Sequence, residues 1–408
     1  MYIHTYFINL LDMKIFPLTG TVQHYDWGGF DFIAAFLGTT NNSGKPMAEY
    51  WLGAHVNAPS QVVLGNESIP LNDYIGKDSA TILGEKVNNA FGRLPFLFKI
   101  LDVKDMLSIQ VHPSKQAAVK AFADENAAGI ALTAPHRNYK DDNHKPELMV
   151  ALSDFWLLHG FKPVHELKQT LQRVECLKYL LPVFGEGDYQ ALYSEVMQYD
   201  ETRVREIFEN HIAAILPQYE ANKLDKKSED FWAARAFKTF CKNGYDKGLF
   251  SIYFFNIVNL STGQAIFQDA GVPHAYLEGQ NLEIMANSDN VLRGGLTPKH
   301  VDVPELLKHT RFEATHPDIL TGREIAGEWV FVTPAHDFEL RKIELPAHTS
   351  FELTTNGPSI FLVQEGKAQF ADFELIQGGA AFAHANQQVK IDAAQNTVVF
   401  HATTPKKD

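Results

Sequence analysis

The spacing of hydrophobic positions along this chain changes twice. From about residue 14 to residue 154 apolar residues come in short segments between turns, such as Gln61-Val62-Val63-Leu64 and Pro95-Phe96-Leu97-Phe98-Lys99-Ile100-Leu101. Segments of this length and content predict strands. From Val164 to about residue 244 the period becomes helical. Val164, Leu167, Leu171 and Val174 share one helix face, and Val204, Ile207, Phe208, Ile212 and Ile215 share another. Residues 229–240 predict a third helix. Strand texture returns at residues 251–258 and at Ala265-Ile266-Phe267, and it dominates after Thr321. Residues 338–345 and 351–353 alternate at period two, and 361–366, 389–391 and 398–400 continue the pattern. Asn356-Gly357 and Gly378-Gly379 mark turns between them.

The pattern predicts a mainly β protein with a helical insertion. Residues 14–160 and 250–325 form one domain, 161–249 an all-α inserted domain, and 326–408 a C-terminal domain. Short, evenly spaced strands in the last region suit a jelly roll or barrel. One helix is expected inside the first region, after residue 113. Ser114 can cap it, Ala117, Ala118, Val119 and Phe122 can fill it, and Gly129 can end it.

Composition narrows the function. At 408 residues the chain should divide into two or three domains, and 45% hydrophobic residues suffice for their cores. A net charge of −13 argues against nucleic acid or an anionic membrane as partner, though a locally basic pocket for a small anion remains compatible with it. Two cysteines, Cys176 and Cys241, are too few for a disulfide framework; they read as packing residues in a reducing, cytoplasmic setting. No apolar run reaches transmembrane length. Residues 1–12 are largely apolar but lack a basic start and a cleavage site, so a signal peptide is not expected; they read as an extension before Met13-Lys14.

The chemistry gathers in three separated motifs. In Gln110-Val111-His112-Pro113, two polar side chains lie two residues apart on an expected strand and so point to one face. Glu147 ends Asn143-His144-Lys145-Pro146-Glu147, and His274 lies in Pro273-His274-Ala275-Tyr276. Two histidines, a carboxylate and an amide oxygen suit zinc, and also iron, cobalt or manganese. Lys99, Lys145, Arg293 and Lys299 fall in or near the same segments, Ser108 shares the face of Gln110 and His112, and Glu283, Asp289 and Asn290 follow His274. A metal, several cations and acid–base groups together fit an anionic, polyhydroxylated substrate. The helical region holds no such constellation. The C-terminal region lacks a Gln-x-His pair, and His384 and His401 read as lone surface histidines.

At these residues the chain resembles type I phosphomannose isomerase. The matching blocks are Gln23-His24-Tyr25-Asp26-Trp27-Gly28, Ala48-Glu49-Tyr50-Trp51-Leu52-Gly53-Ala54-His55, residues 94–113, residues 142–147, residues 270–277 and residues 288–299, in the family's order. The resemblance implies two cupin-like jelly-roll domains plus an all-α domain, the first cupin catalytic and the last without a metal site. It implies one zinc ion per chain held by Gln110, His112, Glu147 and His274, and interconversion of mannose 6-phosphate and fructose 6-phosphate. Arg293 matches the family's catalytic arginine; Trp27, Glu49, Lys99, Ser108, Lys145, Glu283, Asp289 and Lys299 match positions lining its pocket. His144, Lys145, Glu283 and Asp289 are the candidates for carrying the proton, and Ser108 and Lys99 are expected to meet the phosphate. Tyr50 and Asp26 depart from the family's usual residues but lie off the ligand set. A monomer acting on a hexose 6-phosphate is expected. The rivals are a cupin iron(II) dioxygenase, since two histidines and a carboxylate also hold that metal, and a sugar-phosphate sensor without catalysis.

Overall fold

The structure, a computed structural model, describes residues 14–241 and 244–406; the expected N-terminal extension lies outside the described residues. Among the described residues the strands form three sheets. The strand His274–Ala286 organises the largest of them. Its first half pairs with Phe155–Phe161 and, at His274, with Ile109–Val111; its second half pairs with Phe96–Val103 on one side and Glu147–Ala151 on the other. One strand therefore serves two stretches of sheet, and the change of direction falls at Gly279. That residue has φ +123°, a region closed to side chains, and a Cβ there would lie 2.6 Å from the Asp154 carbonyl oxygen. The register shifts between Tyr276 and Glu278, immediately before it.

The nine-stranded sheet carries most of the C-terminal strands. Three strands from the start of the chain join it: Ile15–Thr19 pairs with Ala380–Ala383, and Gln61–Leu64 and Glu67–Pro70 extend the edge. Sheet membership thus crosses the boundary expected near residue 326. The four-stranded sheet, made of Thr349–Thr354, Gln388–Ala393, Lys367–Phe370 and Phe373–Ile376, covers one face of it. Ile343, Phe361, Val363 and Val399 from one sheet meet Phe370, Val389 and Ile391 from the other in a shared core.

The helical region follows its pattern closely. Val164–Arg173, Glu201–Glu220 and Glu229–Phe240 are helices, and Val204, Ile207, Phe208, Ile212 and Ile215 are all buried. Asp200 and Ser228 cap the last two by accepting from backbone N–H groups. Leu167, Leu171, Phe208 and Trp232 form one core with Ile109, Val111, Leu158 and Phe161, so the helices back the sheet that holds the Gln-x-His motif. Cys241 is buried and Cys176 half-buried against this core, and both are free thiols. No described helix is long and apolar enough to cross a membrane.

Three expectations are corrected. Residues 251–254 belong to the helix Gly248–Phe254, and the strand starts only at Phe255. The helix is buried all round, so its apolar run carries no period that separates it from a buried strand. In the helix Lys115–Ala127, capped by Ser114 as expected, Val119 is 45% exposed and Ala118 and Ala121 take the core side. His384 and His401 are buried rather than superficial. His384 Nε2 bonds to the Tyr74 hydroxyl at 2.8 Å, and His401 bridges Glu328 at 3.0 Å and Ser359 at 3.1 Å. Their partners sit in strands distant in sequence, which no local pattern links to them.

Gly279→Ala should cost about 1–3 kcal/mol of stability, because any L-residue is strained at that φ and its Cβ meets backbone. Urea denaturation measures this; an unchanged midpoint would show that the bend relaxes freely.

Candidate metal centre

Strand ends place the ligands. His112 directly follows Ile109–Val111, Glu147 opens Glu147–Ala151, and His274 opens His274–Ala286. These strands are neighbours in one sheet, so three motifs separated by many residues converge. The ligand atoms of His112, Glu147 and His274 all lie within 4.8 Å of one another. His112 Nε2 is 3.4 Å from Glu147 Oε1, and His274 Nε2 is 3.3 Å from Glu147 Oε2. All three residues are at most 2% exposed.

Backbone carbonyls set both imidazole tautomers. His112 Nδ1 donates to the Asn290 carbonyl and His274 Nδ1 to the Val272 carbonyl, each at 2.9 Å. Each Nε2 therefore carries the lone pair, and it points at the carboxylate. Neither Nε2 has a hydrogen-bond partner. Burial holds the His112 pKa down to about 4, more strongly than Glu147 raises it, so the ring is neutral at physiological pH. Burial alone would raise the Glu147 carboxyl, but Lys145, at 3.0 Å, outweighs it and keeps the carboxyl well below the usual range. Two orphaned neutral nitrogens facing one buried carboxylate are the donor set of a divalent cation such as zinc.

Gln110 lies on the same rung. It stands opposite His274 across one ladder and opposite Arg293 across the next. Directly opposed residues of an antiparallel sheet project to one face, which puts the Gln110 and Arg293 side chains on the His274 face. Ser108 is half-buried just before this strand.

A second charged group lies along the same sheet. Glu283 faces Lys99 directly across the ladder. Lys99 Nζ is 3.4 Å from both Glu49 and Glu283, and all three are buried. Burial opposes the charge on Lys99, but the two carboxylates outweigh it and push its pKa up. Burial, then the charge of Glu147, pushes the Glu283 carboxyl up; the Tyr276 hydroxyl donates to it at 2.8 Å, and Gln268 donates to that hydroxyl at 3.0 Å. The Trp51 indole donates to Glu49, lies 5.1 Å from Lys99 Nζ and meets the His55 ring edge-on at 4.9 Å. His55 Nε2 is 3.2 Å from the Asp289 carboxylate. Trp51, His55, Tyr276 and Gln268 were not singled out from the sequence. Period two along Glu49–Gly53 already put Trp51 on the face of Glu49.

The remaining expected residues divide. Trp27 stacks on Tyr25 at 5.8 Å and packs with Leu107 against Leu101, Met149 and Tyr276. His144 is engaged by the C-terminal region: its Nε2 is 2.8 Å from buried Asp337. Lys99, expected at a phosphate, is already neutralised by two carboxylates. Arg293 is half-buried with no ion-pair partner among the described residues, and burial lowers its pKa. Lys299 is exposed; burial and then the nearby Arg293 lower its pKa. Among the described residues these two cations have no carboxylate counter-charge.

A buried two-histidine, one-carboxylate centre on a β-rich fold, flanked by unpaired cations, defines a metal-dependent enzyme of the cupin class. A family model described as phosphomannose isomerase type I, catalytic domain, matches residues 15–164. The mannose-6-phosphate isomerase of Escherichia coli K12 is 38% identical over 388 residues, covering 91% of this chain and 95% of that protein. The mouse protein of the same name is 33% identical over 430 residues, covering 95% and 98%. A solved structure of the Salmonella typhimurium enzyme bound to fructose 6-phosphate and zinc superposes with a TM-score of 0.84 at 33% identity, over 96% of this chain and 99% of that one. The chain belongs to the type I phosphomannose isomerase family.

Glu147→Gln keeps the side-chain shape but removes the anionic donor. Zinc affinity, measured by competition with a chromophoric chelator, should fall by more than the ~10–100-fold typical of losing an outer-shell partner. Unchanged affinity would remove Glu147 from the ligand set.

Proposed function

We propose that this chain is a zinc-dependent aldose–ketose isomerase that interconverts D-mannose 6-phosphate and D-fructose 6-phosphate through a cis-enediol. The observation that carries the reading is the pair of unpartnered Nε2 atoms of His112 and His274 facing buried Glu147. Gln110, on the same rung as His274, completes a four-donor set. Zinc bound there supplies a Lewis acid next to the sugar's oxygens.

The protein's own groups do the rest. Arg293 and Lys299, the cations without carboxylate partners, together with Ser108, bind and orient the anionic substrate, and Arg293 also offsets negative charge developing on the enediol. Trp27 forms an apolar wall, while Glu49 and Lys99 act as a fixed pair at the side of the pocket. Isomerisation requires one proton to move between C1 and C2. His144 is engaged by Asp337, and Glu283 is engaged by both Lys99 and Tyr276. Lys145 is likewise paired with Glu147 and Asp289 with His55, so all four candidates are engaged, Asp289 being the more exposed of the last two. The proton transfer is assigned to this group of four, His144, Lys145, Glu283 and Asp289.

The catalytic work belongs to residues 14–160 and 250–325, with 161–249 as a helical insertion and 326–408 as a domain without a metal site. The free thiols of Cys176 and Cys241 support placement in the cytoplasm, and the chain is expected to act as a monomer. The unpaired cations Arg293 and Lys299 favour a sugar phosphate over a substrate of oxygen-dependent chemistry.

A coupled assay with mannose 6-phosphate should show activity that a chelator abolishes and zinc restores. Metal-independent activity, or none on either hexose phosphate, overturns the reading. Arg293→Ala should leave zinc bound and cut kcat about 100-fold or more, the usual loss of an electrostatic stabiliser. A near-normal kcat would remove that role.

A further inference from the structure

The loop delivering Lys145 and Glu147 and the loop preceding Arg293 are joined by side chains rather than by a backbone ladder. Asn290 is 1% exposed and uses both ends of its amide. Its Oδ1 accepts from the backbone N–H of Lys140 at 2.7 Å and of Asp141 at 3.3 Å. Its Nδ2 donates to the carbonyls of Asp141 and Asn143, each at 2.8 Å. Asp141 answers from the other loop. Its Oδ1 accepts from Ser288 Oγ at 2.8 Å and from the Asn143 N–H at 2.9 Å, and its Oδ2 accepts from the Asp289 N–H at 2.7 Å. Asn143 Nδ2 adds a bond to the Asn287 carbonyl at 3.1 Å.

The backbone carbonyl of this same Asn290 accepts from His112 Nδ1. We propose that Asp141 and Asn290 form a positioning clamp that preorganises the metal centre: the clamp fixes the carbonyl that selects the His112 tautomer and holds the 140–143 loop from which Lys145 and Glu147 are delivered. The inference rests on the zinc-site reading above. Two features make a pure loop staple insufficient as a description. The network ends on a metal-ligand imidazole, and it spans the loops that bear three of the site's groups, Lys145, Glu147 and Asp289. A buried polar network in which every member is satisfied is rigid, and exchanging one donor for an acceptor breaks it without changing its volume.

Asn290→Asp places an acceptor against the carbonyls of Asp141 and Asn143, and Asp141→Asn keeps one acceptor oxygen for Ser288 and the Asn143 N–H but places a donor against the Asp289 N–H. Neither residue touches the metal. Zinc dissociation constants are measured by chelator competition on folded protein, checked by far-UV circular dichroism. The His112 tautomer in apo protein is read from long-range 1H–15N spectra, and Co2+-substituted protein gives a d–d absorption spectrum. The expected result is a zinc Kd raised ~10–100-fold, a mixed His112 tautomer and a shifted Co2+ spectrum. Ser288→Ala, which removes the bond to Asp141 and the hydroxyl that accepts from the Asn290 N–H, should raise Kd about twofold to fivefold in the same direction, and it serves if the isosteric variants do not fold. Folded variants with wild-type Kd and an unchanged tautomer overturn the clamp alone. Failure of the wild type to bind zinc overturns the functional reading and the clamp with it.

Discussion

The structure turns on a buried carboxylate. Glu147 sits between two imidazole nitrogens at 3.3–3.4 Å and an ammonium at 3.0 Å, almost without solvent. An ionised carboxylate in such a place is costly unless it is paired and bonded. Lys145 keeps it ionised, and the neutral imidazoles turn lone pairs toward it, which leaves room for a cation rather than for a proton. The carbonyls of Asn290 and Val272 make that arrangement obligatory, because they accept from the Nδ1 atoms and leave no alternative tautomer that is satisfied.

The strand His274–Ala286 extends that constraint through the sheet. It carries His274 at its start and, after the bend at Gly279, Glu283 against Lys99. Lys99 is held by two carboxylates, whereas Arg293 and Lys299 have none among the described residues. The contrast separates the charges that hold the site together from those that carry no carboxylate partner there. Buried pairs contribute little net stability, but removing one member is severely destabilising, so the first group is costly to break.

The rest of the molecule supports the site without contributing ligands. The helices back the metal-bearing sheet through one shared apolar core. In the C-terminal sheet Ser359, His401 and Glu328 stand in sequence at 3.1 and 3.0 Å, the spacing of a proton relay. All three are buried and Arg341 also engages Glu328, so the arrangement satisfies polar groups inside a sheet rather than performing chemistry.

Much of this was legible in residue order. Period two along the strands, period 3.6 at Val204–Ile215 and the cap at Ser114 follow from the faces that a single element presents, and those depend only on near neighbours. The short motifs around Gln110, Glu147 and His274 were equally legible, since His112, Glu147 and His274 lie at strand ends, Gln110 lies within its strand, and the neighbours' spacing sets their direction. Residues 251–254 were not, because an element buried on every side has no period to read. Nor were the states of the charged groups. Whether His384 and His401 are surface or core, whether Lys99 is free or neutralised, and whether His144 faces the metal or Asp337 all depend on segments far apart in the chain. The chain's order determined which side chains could share a face; only the tertiary structure decided which charges lie within a few ångströms of one another, because burial and Coulomb interaction act through space.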